Sequence, residues 1–469
     1  MPAQLISGRG AGGGNDEMIV FIACVAGLSG LLIGYNTAVI AGALDFLTQD
    51  FQLGPVMQGV VVSSVLLGGF VGSLVAGGLI RRLGERPVLF ATALLFVVGA
   101  IGSGLADSIA WLLVWRTVTG LGVGAATMVT PLYVGETAPA SARGALVSVI
   151  QLAITVGILI SYLTGAAWTP SRSWQAMLLV GAIPGLLMLA GLVFVPESPR
   201  WYLLRGRRAD AERAHRRLTG GRGEALPPAT DDVQNGDWRN LLQDRNRMVL
   251  ILAAGLFAFA NLSGIDAILY YAPVIFAYVG FGGTLGPILA TVGIGTVNVA
   301  ATIVAMVLID RLGRRPLLIG GLVVMALSLI VLAAALMGGQ SAGWSNILAV
   351  TCLSVFVVAF GVSLGPLPYV MMSELFPLAL RGAGMGIASA TAWAVNVLVS
   401  LTFPIMVEAM GIALVFGLYG LVSVAALAFV IALAPETRGR SLELIEANLA
   451  RGRSVRDLGL ALPANGRNN

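Results

Sequence analysis

Apolar residues in this chain run in long blocks, and the charged residues gather in the short stretches between them. Twelve such blocks lie at residues 18–42, 58–80, 88–108, 111–134, 144–168, 174–195, 248–279, 286–309, 316–337, 344–372, 383–407 and 411–434, here called spans 1 to 12. Each holds about 20 residues or more, enough at about 1.5 Å of helical rise per residue to cross a hydrocarbon layer about 30 Å thick. The pattern predicts an all-α membrane protein with twelve transmembrane helices. The first block is long enough to be span 1 and is not read as a cleavable signal peptide. The organisation expected is a short segment 1–17, a first six-helix bundle 18–195, a hydrophilic linker with short helices 196–247, a second bundle 248–434 and a tail 435–469.

The polar stretches repeat. Ile80-Arg-Arg-Leu-Gly-Glu-Arg-Pro-Val-Leu89 returns as Ile309-Asp-Arg-Leu-Gly-Arg-Arg-Pro-Leu-Leu318, Glu136-Thr-Ala-Pro-Ala-Ser-Ala-Arg-Gly144 as Glu374-Leu-Phe-Pro-Leu-Ala-Leu-Arg-Gly382, and Pro196-Glu-Ser-Pro-Arg200 as Pro435-Glu-Thr-Arg-Gly439. All three pairs keep their order and an offset of about 229 to 239 residues, half the chain. The two halves therefore share one topology and one orientation, as parallel repeats of a transporter do, and a ligand site is expected between them.

Composition sharpens this reading. The apolar fraction is 57%, the charged fraction 11% and the mean hydropathy +0.89, whereas soluble domains carry about 25% charge. Every positive side chain is arginine, because the chain has no lysine. Eleven arginines lie from Arg200 to Arg247, and Arg81, Arg82, Arg86, Arg143, Arg311, Arg314, Arg315 and Arg381 fall in loops of the same parity. Only Arg172 falls in a loop of the other parity, so the positive-inside rule places both termini in the cytoplasm. Without lysine there is neither a Schiff-base nucleophile nor a Walker phosphate loop. One histidine, His215, and two cysteines within spans, Cys24 and Cys352, give no metal-ligand set, and both cysteines are read as packed helix-interface residues. No cofactor and no nucleic-acid partner is expected; membrane lipid lies beside the basic linker.

Six motifs in order carry a family resemblance: Gly-Leu-Leu-Ile-Gly-Tyr-Asn-Thr-Ala-Val-Ile at 30–40, Arg116-Thr-Val-Thr-Gly120, Pro196-Glu-Ser-Pro-Arg200, Leu262-Ser-Gly-Ile-Asp-Ala-Ile-Leu-Tyr-Tyr271, Asp310-Arg-Leu-Gly-Arg-Arg315 and Pro435-Glu-Thr-Arg-Gly-Arg440. Over essentially its whole length the chain resembles the sugar porters of the major facilitator superfamily, bacterial sugar/proton symporters and glucose facilitators among them. The resemblance implies two pseudo-symmetric six-helix bundles, a central cavity, alternating access by rocking of the halves, and the plasma membrane of a bacterium. It departs in the first loop, where the family has an acid at the place of Arg81 and an arginine at the place of Glu85. The swap keeps opposite charges four residues apart, so a pair on one helical turn is expected there, and the second copy, with Asp310, is expected to be the more regular.

A charge inside a span is costly and functional by default. Two stand out, Arg116 in span 4 and Asp266 in span 7. The resemblance implies that proton-coupled members carry an aspartate facing that arginine, in the sequence Gly-Tyr-Asp; here the sequence is Gly34-Tyr35-Asn36. An amide does not titrate near neutral pH, so Asn36 with Arg116 points to facilitated diffusion, with Arg116 held by the Asn36 carbonyl, by backbone carbonyls or by water. Asp266 keeps a second reading open, a relocated proton site, beside its reading as an acceptor for substrate hydroxyls or as a structural residue near a helix break at Gly264. A third reading is that Asn36 marks a variant of a symporter.

By the resemblance, Gln151, Asn261, Asp266, Asn298, Tyr369, Trp393 and Asn396 line the cavity. It is not a copy of a glucose site, since Ala260-Asn261, Gly361, Tyr369 and Ala392 replace two glutamines, a glutamate, a tryptophan and an asparagine. Each lost polar group leaves a buried hydroxyl short of a partner at about 1–3 kcal/mol, so a glucose site is expected to be weakened, and the expected substrate is a monosaccharide or polyol that need not be glucose. Tyr270 and Tyr271 are candidates for an outer gate. Glu136, Arg143, Glu197, Arg200, Glu374, Arg381, Glu436 and Arg440 sit at the basic-side helix ends, where opposite charges from the two halves are expected to pair when the inner gate is shut and to part when it opens.

Overall fold

Long apolar runs leave the backbone no partner but itself, and in a lipid layer that forces helices. The computed structural model describes residues 13–138, 140–219, 243–338, 344–376, 378–440 and 442–460. Among these, twelve helices are long and apolar enough to cross a membrane, one for each predicted span and in the same order. Several run beyond the apolar block that announces them. Span 1 continues to Phe51, past Asp45, Gln49 and Asp50, because its polar last turns are held at the face opposite the arginine-rich loops. There Asp50 accepts from the Trp174 indole at 2.8 Å and Gln49 bonds Arg172.

Three spans are broken, and each break has a local cause. Span 6 divides into Trp174–Val180 and Ala182–Leu192 at Gly181, which lies against Tyr35 and Asn36 of span 1. Span 7 divides into Asp244–Leu262, Ile265–Tyr270 and Ala272–Val279. The first break is the expected one: Gly264 is left-handed (φ +86°), and a Cβ there would collide with the Tyr419 ring. Span 10 divides into Trp344–Val362 and Leu367–Leu375, where Pro366 and Pro368 remove helix donors. Elsewhere small residues bring helices close, as where Gly68 and Gly72 of span 2 meet the backbone of span 4 and Gly120 and Gly124 meet that of span 2.

Spans 1 and 5, 2 and 4, and 3 and 4 associate within the first half; spans 9 and 12, and 8 and 10, within the second. The halves meet along span 2 with span 11 and span 5 with span 8. One apolar core runs through both halves, joining Tyr35 to Leu47 of span 1 with Tyr270, Tyr271 and Ile275 of span 7. A second core, from Ile22 to Val195 together with Leu218 of the linker, lies in the first half and its linker, and Trp393 of span 11 touches both cores. Contact between the halves is therefore concentrated away from the basic face. Gly59 of span 2 abuts the Leu401 backbone and Gly69 abuts Trp393, whereas Gly77 and Gly78 of span 2 and Gly386 of span 11, nearer the basic face, have no neighbour within 4 Å of the position a Cβ would take. The cleft between the halves opens toward the basic face.

In the linker, 196–247, the described residues form the short helices Pro199–Leu204 and Arg208–Thr219 and the start of Asp244–Leu262; residues 220–242 lie outside the described residues. The tail adds the helix Leu442–Ala450, lodged against spans 7 and 10. Both cysteines are free. Cys352 is buried as expected, but Cys24 is exposed on the side of span 1 and is not an interface residue.

Candidate functional site

The two charges singled out in the spans lie near one another through Tyr270. Arg116 is 1% exposed and donates through Nη1 to the main-chain carbonyl of Asn36 at 3.1 Å. Its Nε and Nη2 are buried with no acceptor among the described residues. The Asn36 side chain does not face the guanidinium. Its amide donates to the Leu32 carbonyl at 2.9 Å, and its Oδ1 lies beside Gly181 at the break in span 6. Of the partners expected for Arg116, the backbone carbonyl is the one found.

Tyr270 lies within electrostatic reach of Arg116 on one side and of Asp266, one helical turn earlier, on the other. The Asp266 carboxylate sits beside the Tyr270 hydroxyl and the Asn396 amide. Asn396 in turn reaches the Tyr270 hydroxyl at 3.5 Å and accepts from the Ser400 hydroxyl at 3.1 Å. The break at Gly264 makes this possible, because it starts a new helix, Ile265–Tyr270, that carries Asp266 and Tyr270 on one turn toward span 11. Tyr369 contributes an aromatic wall. It meets Phe257 edge-on at 4.7 Å, and 55% of its surface is exposed. Trp393 is half-buried against Gly69, between the two halves.

The remaining cavity candidates are less closely gathered. Asn298 is buried, and Gln151 is half-buried on span 5. Asn261 turns its amide back to the Phe257 carbonyl at 2.7 Å, so that donor is spent within its own helix.

On the far side of this cluster the cleft is shut. Tyr271 is 1% exposed, stacks near Phe403 with centroids 4.9 Å apart and donates to the Ser400 carbonyl at 2.8 Å. Tyr162 of span 5 donates to the Leu269 carbonyl at 2.7 Å and so ties the two halves directly. Sequence reasoning did not single out Tyr162; its signal was a tyrosine within an otherwise apolar span.

At the basic face the acids predicted for the gate take partners within their own half. Glu197 accepts from the main-chain N–H groups of Glu85 and Arg86 at 3.0 and 3.1 Å, and Glu436 from those of Arg314 and Arg315, both at 3.1 Å. Glu136 is bonded by the Ser198 hydroxyl, and Glu374 by the Thr437 hydroxyl at 2.5 Å and by Arg314 Nη2 at 2.9 Å. Pairing across the gate was expected of the state with this face shut; here the face is open. Arg200 is half-buried and Arg440 exposed, while the side chains of Arg143, Arg381 and Asp310 lie outside the described residues. Ser198 and Thr437 were missed, although Pro-Glu-Ser and Pro-Glu-Thr place a hydroxyl at the same point of the repeat. The expected Arg81–Glu85 pair on one helical turn is not formed, because Gly84 (φ +100°) ends span 2 at Leu83 and begins a new helix at Glu85.

This arrangement has known counterparts. The profile of the family described as "Sugar (and other) transporter" matches residues 22–449. The galactose-proton symporter of Escherichia coli (strain K12) is 38% identical over 454 residues, 96% of this chain and 98% of that one. The glucose transporter GlcP of Staphylococcus epidermidis is 38% identical over 441 residues, 92% and 97% of the two chains. Among solved structures, the partially occluded inward-open conformation of the xylose transporter XylE from E. coli superposes with a TM-score of 0.77 at 32% identity, over 91% of this chain and all of that one. XylE bound to 6-bromo-6-deoxy-D-glucose superposes at 0.74, again at 32% identity, over 92% and 99% of the two chains. Twelve spans in two repeated halves, a cleft between them, and a family match that runs almost from end to end give one conclusion: the chain belongs to the sugar porter family of the major facilitator superfamily.

Proposed function

We propose that this protein carries a monosaccharide or polyol across the membrane by alternating access and without coupling to protons. Sugar transport, and not an enzymatic reaction, follows from the family. The protein is an integral multi-pass membrane protein; the basic face is read as cytoplasmic on the positive-inside argument, and the membrane as the plasma membrane of a bacterium. In the proposed cycle the sugar binds at Asp266, Asn396 and Tyr270, between the aromatic faces of Trp393 and Tyr369, with Gln151 and Asn298 completing the ring from spans 5 and 8. Carboxylate and amide groups suit sugar hydroxyls because each can hold one at hydrogen-bond distance, and aromatic faces cover the C–H side of the ring.

The observation that carries the uncoupled mode is the contact at Arg116. The residue that meets it from span 1 offers a backbone carbonyl, and its side chain is a non-titrating amide turned to Leu32, so no proton exchanges with the guanidinium at this point. A second reading rests on Asp266, an acid in the interior of a span and next to Tyr270; several relatives are named as proton symporters. Uptake of labelled pentoses, hexoses and polyols into proteoliposomes, with and without an inward proton gradient, separates the two. Equilibration without accumulation, unaffected by the gradient, supports facilitated diffusion. Gradient-driven accumulation that Asp266→Asn abolishes while leaving equilibrative exchange assigns the proton to span 7.

A further inference from the structure

The two halves close their basic-face loops with the same parts, except one. In the second half Gly313 (φ +93°) turns the chain between spans 8 and 9, the Glu436 carboxylate caps the new helix, the Thr437 hydroxyl bonds Glu374, and Arg314 joins the assembly through its ion pair with Glu374 at 2.9 Å. In the first half Gly84 (φ +100°), Glu197, Ser198 and Glu136 repeat these roles. Where the second half has Arg314, the first has Glu85.

Glu85 is 2% exposed, and its carboxyl group lies within hydrogen-bonding reach of both Glu136 and Glu197. Its Oε2 is buried with no donor among the described residues. No described arginine forms an ion pair with any of the three acids. The neighbouring cations are committed elsewhere or exposed. Arg86 donates to the Leu192 and Val193 carbonyls, both at 3.1 Å, and Arg205 to those of Arg81 and Arg82 at 2.9 and 2.8 Å. Arg81 and Arg82 are exposed, Arg200 is half-buried at the start of Pro199–Leu204, and Tyr133 gives its hydroxyl to the Pro196 carbonyl at 2.7 Å.

Neighbouring carboxylates with no ion pair to an arginine among the described residues repel one another, and burial removes the water that would screen them. A carboxylic acid, by contrast, donates one hydrogen bond to a neighbouring carboxylate, and such charge-assisted bonds are strong. We propose that Glu85, Glu136 and Glu197 form a proton-binding site at the basic face, in which a proton held on Glu85 joins spans 3, 4 and 6 as Arg314 joins spans 9, 10 and 12. The proton comes from the compartment that bathes this face, which the orientation proposed above makes the cytoplasm. Losing it leaves adjacent negative charges that push these helix ends apart.

The test uses the purified full-length protein with Glu85→Gln and Glu85→Arg, following the melting temperature against pH and the infrared carbonyl band of protonated carboxylic acids. A group that holds its proton more tightly when folded contributes stability at low pH that is lost as pH rises through its folded-state titration. The wild type is therefore expected to lose stability on going alkaline while an acid band disappears. Glu85→Gln should lack that band and flatten the pH profile, and Glu85→Arg should melt higher than the wild type at alkaline pH. An acid band unchanged by Glu85→Gln, the same pH slope in wild type and Glu85→Gln, or recovery of alkaline stability by sodium or calcium ions and not by acid overturns the proposal. Glu85→Gln with the infrared band decides the question even if Glu85→Arg does not fold. Neither readout depends on the substrate or on the coupling mode.

Discussion

Arg116 meets Asn36 through the main chain and not through the side chain: Nη1 donates to the Asn36 carbonyl at 3.1 Å, and the Asn36 amide turns away to Leu32. The guanidinium is thus a buried cation with two donor nitrogens unfilled and no opposite charge bonded to it among the described residues, an arrangement that costs stability. An aspartate at position 36 supplies both an acceptor and a counter-charge. Asn36→Asp should raise the melting temperature at neutral pH, in keeping with a charged hydrogen bond worth about 1.5–3 kcal/mol, and should make sugar uptake respond to a proton gradient. Melting curves and gradient-driven uptake check the two parts separately; an unchanged melting temperature with gradient-independent uptake would show that the side chain at 36 does not reach Arg116.

The closed side depends on few polar ties, of which Tyr162 to the Leu269 carbonyl is one that crosses between the halves. Tyr162→Phe keeps the ring against Gly295 and removes the bond, at a cost of about 1 kcal/mol. Opening the far face is expected to part Tyr162 from Leu269, so the loss should shift the conformational balance by about fivefold toward the state open there. Distances between spin labels on the far-side ends of spans 5 and 8 should show a larger population of the longer separation.

Gly264→Ala tests the break that presents Asp266. The position needs a left-handed backbone, which costs an L-residue about 1–2 kcal/mol, and the added methyl also meets the Tyr419 ring. Affinity for the transported sugar should fall along with stability, since Asp266 and Tyr270 ride on the helix that starts there. Binding measured by calorimetry at a temperature where the variant is still folded separates this from simple unfolding; wild-type affinity would mean that the turn does not position the site.

The twelve spans were legible because lipid imposes a single rule on every one of them: an apolar stretch of sufficient length becomes a helix. The break at Gly264 was legible for a similar reason, since glycine changes what the backbone can do wherever it stands. Contacts were harder. Arg116 and Asp266 announced themselves as charges in spans, but nothing in the sequence said that Asn36 would offer its main chain, or that Tyr270 would stand between the two charges. Asn261 and Asn396 look alike in sequence, yet one spends its amide on its own helix and the other turns to Tyr270. The spacing of Arg81 and Glu85 suggested a helical pair; Gly84, at its own position in the same motif, is the reason there is none.

The second half supplies the last test, because its joint is made by an arginine. Arg314 bonds Glu374 through Nη2 at 2.9 Å and the Ile309 carbonyl through Nη1 at 3.2 Å, and its main-chain N–H is capped by Glu436. The two side chains of the ion pair are 13% and 24% exposed, so the pair is neither a screened surface contact worth at most about 1 kcal/mol nor a fully desolvated one. Arg314→Gln removes the charge and leaves Glu374 with the Thr437 hydroxyl as its bonded neighbour in this network; a loss of about 1.5–3 kcal/mol is expected. Arg314→Lys should recover only part of it, since a lysine cannot reach the carboxylate and the Ile309 carbonyl with the same planar fork. The double-mutant cycle with Glu374→Gln isolates the pair: coupling above about 1 kcal/mol places the stability in the ion pair, whereas additive losses would place it in the backbone caps at Glu436 and leave Arg314 a spectator.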